Sequence, residues 1–382
     1  MNRKAVWFGF VFVFAMLLGA IAQAVEPVKI GAVFSVTGPA SFLGEPKRNT
    51  VKMLEADINR SGGILGRPVE FIVYDDESDA TKTVTAVDRL IKKDRVAAII
   101  GPSISGNTLA VIPKAGAEKI PLISCAAAKK ITSPVHPYIF KVAPSDLLAA
   151  KRIFQDMKNR KLAKVAIITA SDGYGAGGRE DMKELAPQMG ISIVADEVYG
   201  PKDTDMTAQL TKIKGTDAQA IVCWGTNPGP AVIARNRVQL GIKTPLYMSS
   251  GVASKKFIEL AGAENAEGIL LPAARLIVEP QIPADHPQKK VIVNYIKDYE
   301  GKYKQPVSTF GGHAHDAVGI LVQAIKDANS TDPKAIRDAL EKVKGFQGTW
   351  GEFNFTPEEH TGLTEEAFVM VKIVNGDWQM LK

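Results

Sequence analysis

The sequence predicts an α/β protein made of two tandem doubly wound units behind an export leader. Three observations predict it. Apolar strand-like runs alternate with amphipathic helical stretches from Val28 onward. The alternation restarts at Lys164. A short basic segment followed by a long apolar one precedes both. Strands alternating with helices form a parallel sheet covered on both faces, and such sheets bind ligands outside the carboxyl ends of their strands.

Arg3 and Lys4 form a positive start, Ala5 to Ala20 is almost continuously apolar, and Ala22-Gln23-Ala24 has the small-residue pattern of a cleavage site. This predicts a signal peptide over 1–24 and a processed chain from Val25. The competing reading, a membrane anchor, asks for ~20 apolar residues and no cleavage site. No Cys follows the apolar run to carry a lipid. A soluble periplasmic product is expected.

Val28–Phe34 reads as the first strand, followed by a Gly-, Pro- and Ser-rich loop over 35–46. Val51, Leu54 and Ile58 then fall at helical spacing, and Ser61-Gly62-Gly63 ends that helix. Val69–Tyr74 is a strand with Asp75-Asp76-Glu77 at its carboxyl end. Val84, Val87, Leu90 and Ile91 mark one face of a second helix. Ala97–Ile100 and Ile120–Ser124 are further strands. In the second unit, strands are expected at Lys164–Thr169, Ile191–Val198, Ala220–Trp224 and Leu246–Ser249, with a helix over Gly178–Met189. Phe368–Val374 reads as a closing strand.

At 382 residues the chain is too long for one core, so two domains are expected. The net charge is +6, two of those charges being Arg3 and Lys4 in the leader. The basic residues are scattered without interleaved aromatics, which argues against a nucleic-acid partner. Cys125 and Cys223 fall in different units, and a bridge between them would lock those units together, so two buried free thiols are expected. No cofactor is called for.

Gly173, Gly175 and Gly178 fit G-x-G-x-x-G, with Asp196 near the place of a ribose-binding acid. That raises a nucleotide-dependent enzyme as a rival. Three residues separate the strand from the first glycine, and Asp172 would set a negative charge beside a pyrophosphate. A flexible loop presenting Tyr174 to a cleft fits better. His313 and His315 lie two apart, on opposite sides of a helix, so one histidine lining a cleft is a better use than a metal pair. The acids at 75–77 read as a cap and solvated turn. No nucleophile elbow and no P-loop lysine occur. Two small-residue loops, Gly101 to Thr108 and Ser124 to Ala128, end strands of the first unit. Small side chains admit a ligand to the backbone, and amides at a helix start attract a carboxylate.

With these loops the chain resembles the periplasmic binding proteins of the branched-chain amino acid type, the receptor subunits of ABC importers. The resemblance runs through Gly38-Pro39, Asp57-Ile58-Asn59, Gly62-Gly63-Ile64, Gly66 and Tyr74-Asp75-Asp76. It continues through Gly101-Pro102, Ala126-Ala127, Tyr174-Gly175, Ala266-Glu267-Gly268, Gly348-Thr349-Trp350-Gly351 and Phe353-Asn354-Phe355. It implies two Rossmann-like lobes with parallel sheets, joined by three hinge crossovers near Val142–Ser145, Leu270–Ala274 and Gly351–Phe355. Lobe one is then 25–143 with 273–352, and lobe two 144–272 with 353–382. It further implies a monomer that closes on a small carboxylate and docks on a membrane permease.

The resemblance places Ser105 and the backbone at Ala126 in the carboxylate clamp, Tyr174 in the second wall and Phe310 near an aromatic that covers the side-chain pocket; Gly106 and Ala127, in the same two loops, are also expected at the ligand. Ala128 stands where these receptors carry a clamp threonine. Leu43 stands in place of an aromatic, with Phe42 adjacent, and Thr226 in place of a tyrosine. Ser250 stands where a glutamate holds the ligand's ammonium, and Ile104 replaces a disulfide cysteine. Leaving a buried ammonium unpaired costs on the order of 2–5 kcal/mol. Unless Asp172 swings in, the expected ligand is therefore a small organic acid without an ammonium, its body against Phe42, Phe310 or Trp224. A true branched-chain amino acid binder is the nearer alternative. A ligand sensor for a separate signalling partner is the more distant one.

Overall fold

The computed structural model describes residues 25–381. The expected signal peptide lies outside the described residues. No helix among the described residues is long and apolar enough to cross a membrane.

The chain opens with β1 (Val28–Phe34), α1 (Ser41–Arg60), β2 (Val69–Asp75), α2 (Ala80–Arg89), β3 (Ile99–Ile100), α3 (Ser105–Ala117), β4 (Leu122–Ser124) and β5 (Ile139–Lys141). These five strands form one parallel sheet in the order β2-β1-β3-β4-β5. The next stretch contains α4 (Asp146–Asn159), β6 (Lys164–Ala170), α5 (Gly173–Gln188), β7 (Ser192–Tyr199), α6 (Thr207–Lys214), β8 (Ala220–Trp224) and α7 (Gly229–Gln239). It ends with β9 (Leu246–Met248), α8 (Lys255–Ala261), α9 (Ala263–Ala266) and β10 (Leu270–Ala273).

The chain then returns to the first sheet through α10 (Lys289–Tyr303), α11 (Thr309–Ala328) and α12 (Pro333–Leu340), and forms the small antiparallel pair β11 (Phe346–Gln347) and β12 (Glu352–Phe353). Helix α10 is tied to α1 by the Thr50–Tyr295 hydroxyl pair at 2.7 Å and by Tyr303 Oη donating to Asn49 O at 2.7 Å. Finally β13 (Val369–Val374) and β14 (Asp377–Met380) join the second sheet, whose order is β14-β13-β10-β9-β8-β6-β7. Its last two strands run antiparallel, so this sheet is mixed at one edge.

Alternation within each strand buries both faces, as a helix-covered parallel sheet requires. Val28, Ile30, Ala32 and Phe34 enter the large core shared with α1, α4 and α11, while Val33 packs with Ile99, Leu122 and Ile139 on the other side. In β6, Val165 and Ile167 face the large core, and Ala166, Ile168 and Ala170 face a second one.

The chain passes from sheet to sheet three times: after Lys141, after Ala273 and between Phe353 and Val369. Leu270–Ala273, expected within the second crossing, is itself strand β10. Gly351–Phe355, expected as the third, contains β12, and Phe355 still donates to Val343 O. The first crossing, expected near Val142–Ser145, follows β5 directly, whereas β10 runs through most of the second expected span and the small β11–β12 pair through part of the third.

Candidate functional site

A cleft with about 560 Å³ of free space, its mouth included, lies between the carboxyl ends of the two sheets. The first wall comes from α1 (Leu43, Lys47), the β3–α3 loop (Ser103, Ile104, Ser105), the segment after β4 (Cys125, Ala126, Ala127) and the face of α11 bearing Phe310 and His313. The second wall comes from Asp172 and Tyr174, Thr226 after β8, and Ser250 and Gly251 after β9. Ala143, Pro144 and Trp350, from segments near the crossings, close the back.

The structure thus brings together Leu43, Ser105, Ala126, Ala127, Tyr174, Thr226, Ser250 and Phe310. Three expected residues stand outside the lining. Phe42 lies behind, edge-on to Phe310 with ring centroids 5.6 Å apart. Ala128 is buried, its N–H donating to Ser105 Oγ at 3.3 Å. Gly106 instead meets the opposite lobe, where a Cβ added to Gly173 would lie 3.1 Å from its Cα. The two walls are therefore in contact at this rim.

The donor set on the first wall follows from local geometry. Helix α3 begins without a side-chain cap, so its first amides are not satisfied by the helix. Ser105 Oγ accepts from Ala128 and keeps its own proton to donate. The Ala126 N–H is already committed to Ser124 Oγ at 3.1 Å, so this residue contributes a surface rather than a free amide.

The expected flexible loop at Gly173–Gly178 is instead the first turns of α5. Asp172 is its N-cap, accepting from the amides of Tyr174 at 3.0 Å and Gly175 at 2.8 Å. A carboxylate of the chain's own thus occupies the place a pyrophosphate would take. The glycines serve packing: a Cβ would lie 2.0 Å from Ala170 O at Gly175, and 2.2 Å from Trp224 Nε1 at Gly178. Asp196 is held by Arg179 and Lys183 at 2.6 to 2.9 Å. This geometry argues against the nucleotide reading.

Trp224, expected against the ligand, is wholly buried behind Tyr174, their ring centroids 6.0 Å apart. Trp350 lines the cleft instead. Its indole N–H donates to Thr309 O at 3.0 Å, and its ring stacks on His313 at 4.7 Å and 16°. Asp316 fixes the loop that carries it, accepting from the amides of Thr349 at 2.7 Å and Trp350 at 3.0 Å. His315 turns away to Tyr295 and Asp316, so the two histidines do not converge. Among the described residues no cluster of three metal-ligating side chains occurs.

Several polar groups at the cleft are buried without partners. Neither ring nitrogen of His313 is hydrogen-bonded, and burial holds its pKa well below 6.5, so the ring is neutral. Tyr174 Oη sits beside Ser249, Ser250 and Gly251 yet makes no hydrogen bond of normal geometry. Lys47 is fully buried, its Nζ reaching Cys125 O at 3.3 Å and Ser103 O at 3.5 Å. Both cysteines are free and buried, and burial pushes the thiol of Cys125 up to about 11 and that of Cys223 to about 12. Sequence reasoning missed Lys47 and Trp350 as lining residues. The signal for Lys47 was its helical spacing from Leu43 and Val51, a charge within an apolar stripe.

The sequence profile of the periplasmic binding proteins matches residues 27–377. The chain belongs to this family. It is 25% identical over 339 residues to a leucine-, isoleucine-, valine-, threonine- and alanine-binding protein of Pseudomonas aeruginosa, covering 87% of each chain. It is 26% identical over 353 residues to the Leu/Ile/Val-binding protein of Escherichia coli K12, covering 88% of this chain and 92% of that one. Among solved structures, an extracellular ligand-binding receptor from Rhodopseudomonas palustris HaA2 superposes with a TM-score of 0.87 at 29% identity, covering 93% of this chain and all of that one. The branched-chain amino acid transporter substrate-binding protein LivJ of Streptococcus pneumoniae, solved with isoleucine, gives 0.82 at 26%, covering 94% and 100%. The fold is that of a two-lobed type I periplasmic binding protein.

Proposed function

We propose that the protein is the periplasmic receptor of an ABC importer and that its ligand is a small carboxylate without an ammonium group, an aromatic one included. In this reading it carries out no chemistry. The ligand enters between the lobes, the three crossings flex, and the closed form docks on a membrane permease. The carrying observation is the asymmetry of the cleft. The first wall offers an uncapped helix start, the Ser105 hydroxyl and a buried lysine, whereas the second offers hydroxyls at Tyr174, Thr226 and Ser250. Apolar faces of Leu43, Phe310 and Trp350 suit the body of such an acid.

One observation favours a second reading. Asp172 lines the cleft, and its cap bonds use only Oδ1. The free Oδ2 would suit an ammonium, and the relatives named above bind amino acids. A melting-shift panel separates the two. Benzoate or the keto acid of leucine raises the midpoint under the first reading, while leucine and valine do not. A large shift with leucine and none with the acids overturns it.

A further inference from the structure

The first wall buries a cation that the protein does not itself neutralise. Lys47 is 0% exposed and forms no ion pair among the described residues. Its two carbonyl contacts, 3.3 and 3.5 Å, are long for charge-assisted bonds and leave one ammonium proton unused. The acid that acts on it, Asp76, is engaged elsewhere, accepting from Ser78 N, Thr83 Oγ1 and Asn107 Nδ2 at 2.9 to 3.0 Å. An uncompensated buried charge costs several kcal/mol. Lys47 lines the cleft together with His313 and Tyr174, whose ring nitrogens and hydroxyl are also without partners.

We propose that Lys47 is the ionic partner of the bound solute's carboxylate, so that the cleft selects net-anionic solutes over zwitterions. This rests on the carboxylate reading above and adds the residue that enforces it. A zwitterion would bring a second ammonium into the cleft that Lys47 lines, where Ser250 offers no negative charge and Asp172, on the opposite wall, is the one lining carboxylate.

A pH signature follows. Burial lowers Lys47 to about 8, against weaker opposing effects of Cys125 and Asp76. Of the other groups facing it, Cys125 is pushed up to about 11 and His313 is held well below 6.5, while Asp172 and Tyr174 lie across the cleft. Lys47 therefore accounts for the change of charge at this wall just above neutrality. An anion favours its protonated form, so affinity is level below about pH 8 and falls above it.

Isothermal titration of the wild type and Lys47→Met with benzoate, the keto acid of leucine, and leucine tests this, each at about pH 7 and about pH 9.5. The wild type is expected to bind one of the acids, at least about tenfold more weakly at the higher pH. Lys47→Met, with its fold checked by melting, is expected to lose about 10- to 100-fold at neutral pH and to lose the pH dependence. Affinity in Lys47→Met within about twofold of the wild type, with the same pH profile, overturns this inference and leaves the carboxylate reading standing. A wild type that binds leucine and neither acid overturns both. If Lys47→Met fails to fold, the wild-type profile decides, and a pH-independent affinity sinks the proposal.

Discussion

His313 lines the cleft with its polar atoms buried at a cost in stability. Its ring is stacked on Trp350, neutral, and 6% exposed, with two polar atoms that nothing in the chain satisfies. Each unmet buried polar atom costs ~1–3 kcal/mol, and removing it with an apolar group of similar shape is close to neutral or favourable. His313→Leu should therefore raise the ligand-free melting midpoint, or leave it unchanged, while weakening ligand binding by about tenfold. Differential scanning fluorimetry and titration of the same samples check this. A lowered midpoint with unchanged affinity would make His313 a packing residue. The two tryptophans mark how far this level was legible in the sequence. Trp224 ends a strand at the cleft, which invites a ligand role, but strand alternation turns its ring into the large core. Trp350 enters through a loop pinned from a distant helix by Asp316, a long-range tie with no local sequence signal.

Helix α5 shows why element boundaries were partly hidden. Four glycines in its first turns, at 173, 175, 177 and 178, cost roughly 0.5–1 kcal/mol each relative to alanine within a helix, which favours reading them as a loop. Tertiary packing overrides that, because a Cβ at Gly175 or Gly178 would collide with β6 or Trp224. Largely apolar strands such as Val28–Phe34 and Ala220–Trp224 suffered no such conflict, and their bounds were legible to the residue. The return of 289–340 to the first sheet was expected only through the resemblance, since helical periodicity does not say which sheet a helix covers. Asp172 gives α5 its start and makes a separable prediction. Asn caps about as well as Asp, whereas Ala costs ~1 kcal/mol. Asp172→Ala should melt lower than the wild type and Asp172→Asn close to it. Under the carboxylate reading, Asp172→Asn should also bind benzoate at least as tightly, since a negative charge leaves the cleft. A loss of acid affinity in Asp172→Asn would count against that reading.

Across the whole molecule, the lobes meet through an ionic seam as well as through the cleft. Lys129 lies 3.2 Å from Glu184, Lys130 lies 2.7 Å from Glu180, and Thr309 Oγ1 donates to Ala253 O at 3.0 Å. Asp181 sits within this seam on α5, 4% exposed, with Oδ2 unpartnered and Lys129 only at 3.9 Å. Burial outweighs that lysine and raises Asp181 to about 6. A carboxyl raised above its unfolded value of about 3.9 binds more protons in the folded molecule than in the unfolded chain over the interval between those values. Stability therefore falls as pH rises from about 4 to about 6, and this penalty is fully present at neutral pH. Opening the lobes hydrates the same carboxyl, so mild acid should favour the closed form. Asp181→Asn should remove the penalty, melting higher than the wild type at about pH 7 and matching it near pH 4, where the wild-type carboxyl is protonated. Scattering from ligand-free wild type should show a smaller radius of gyration at pH 5 than at pH 7, and Asp181→Asn should show no such change. A wild-type radius that grows on acidification would mean that the surface ion pairs, not Asp181, govern closure.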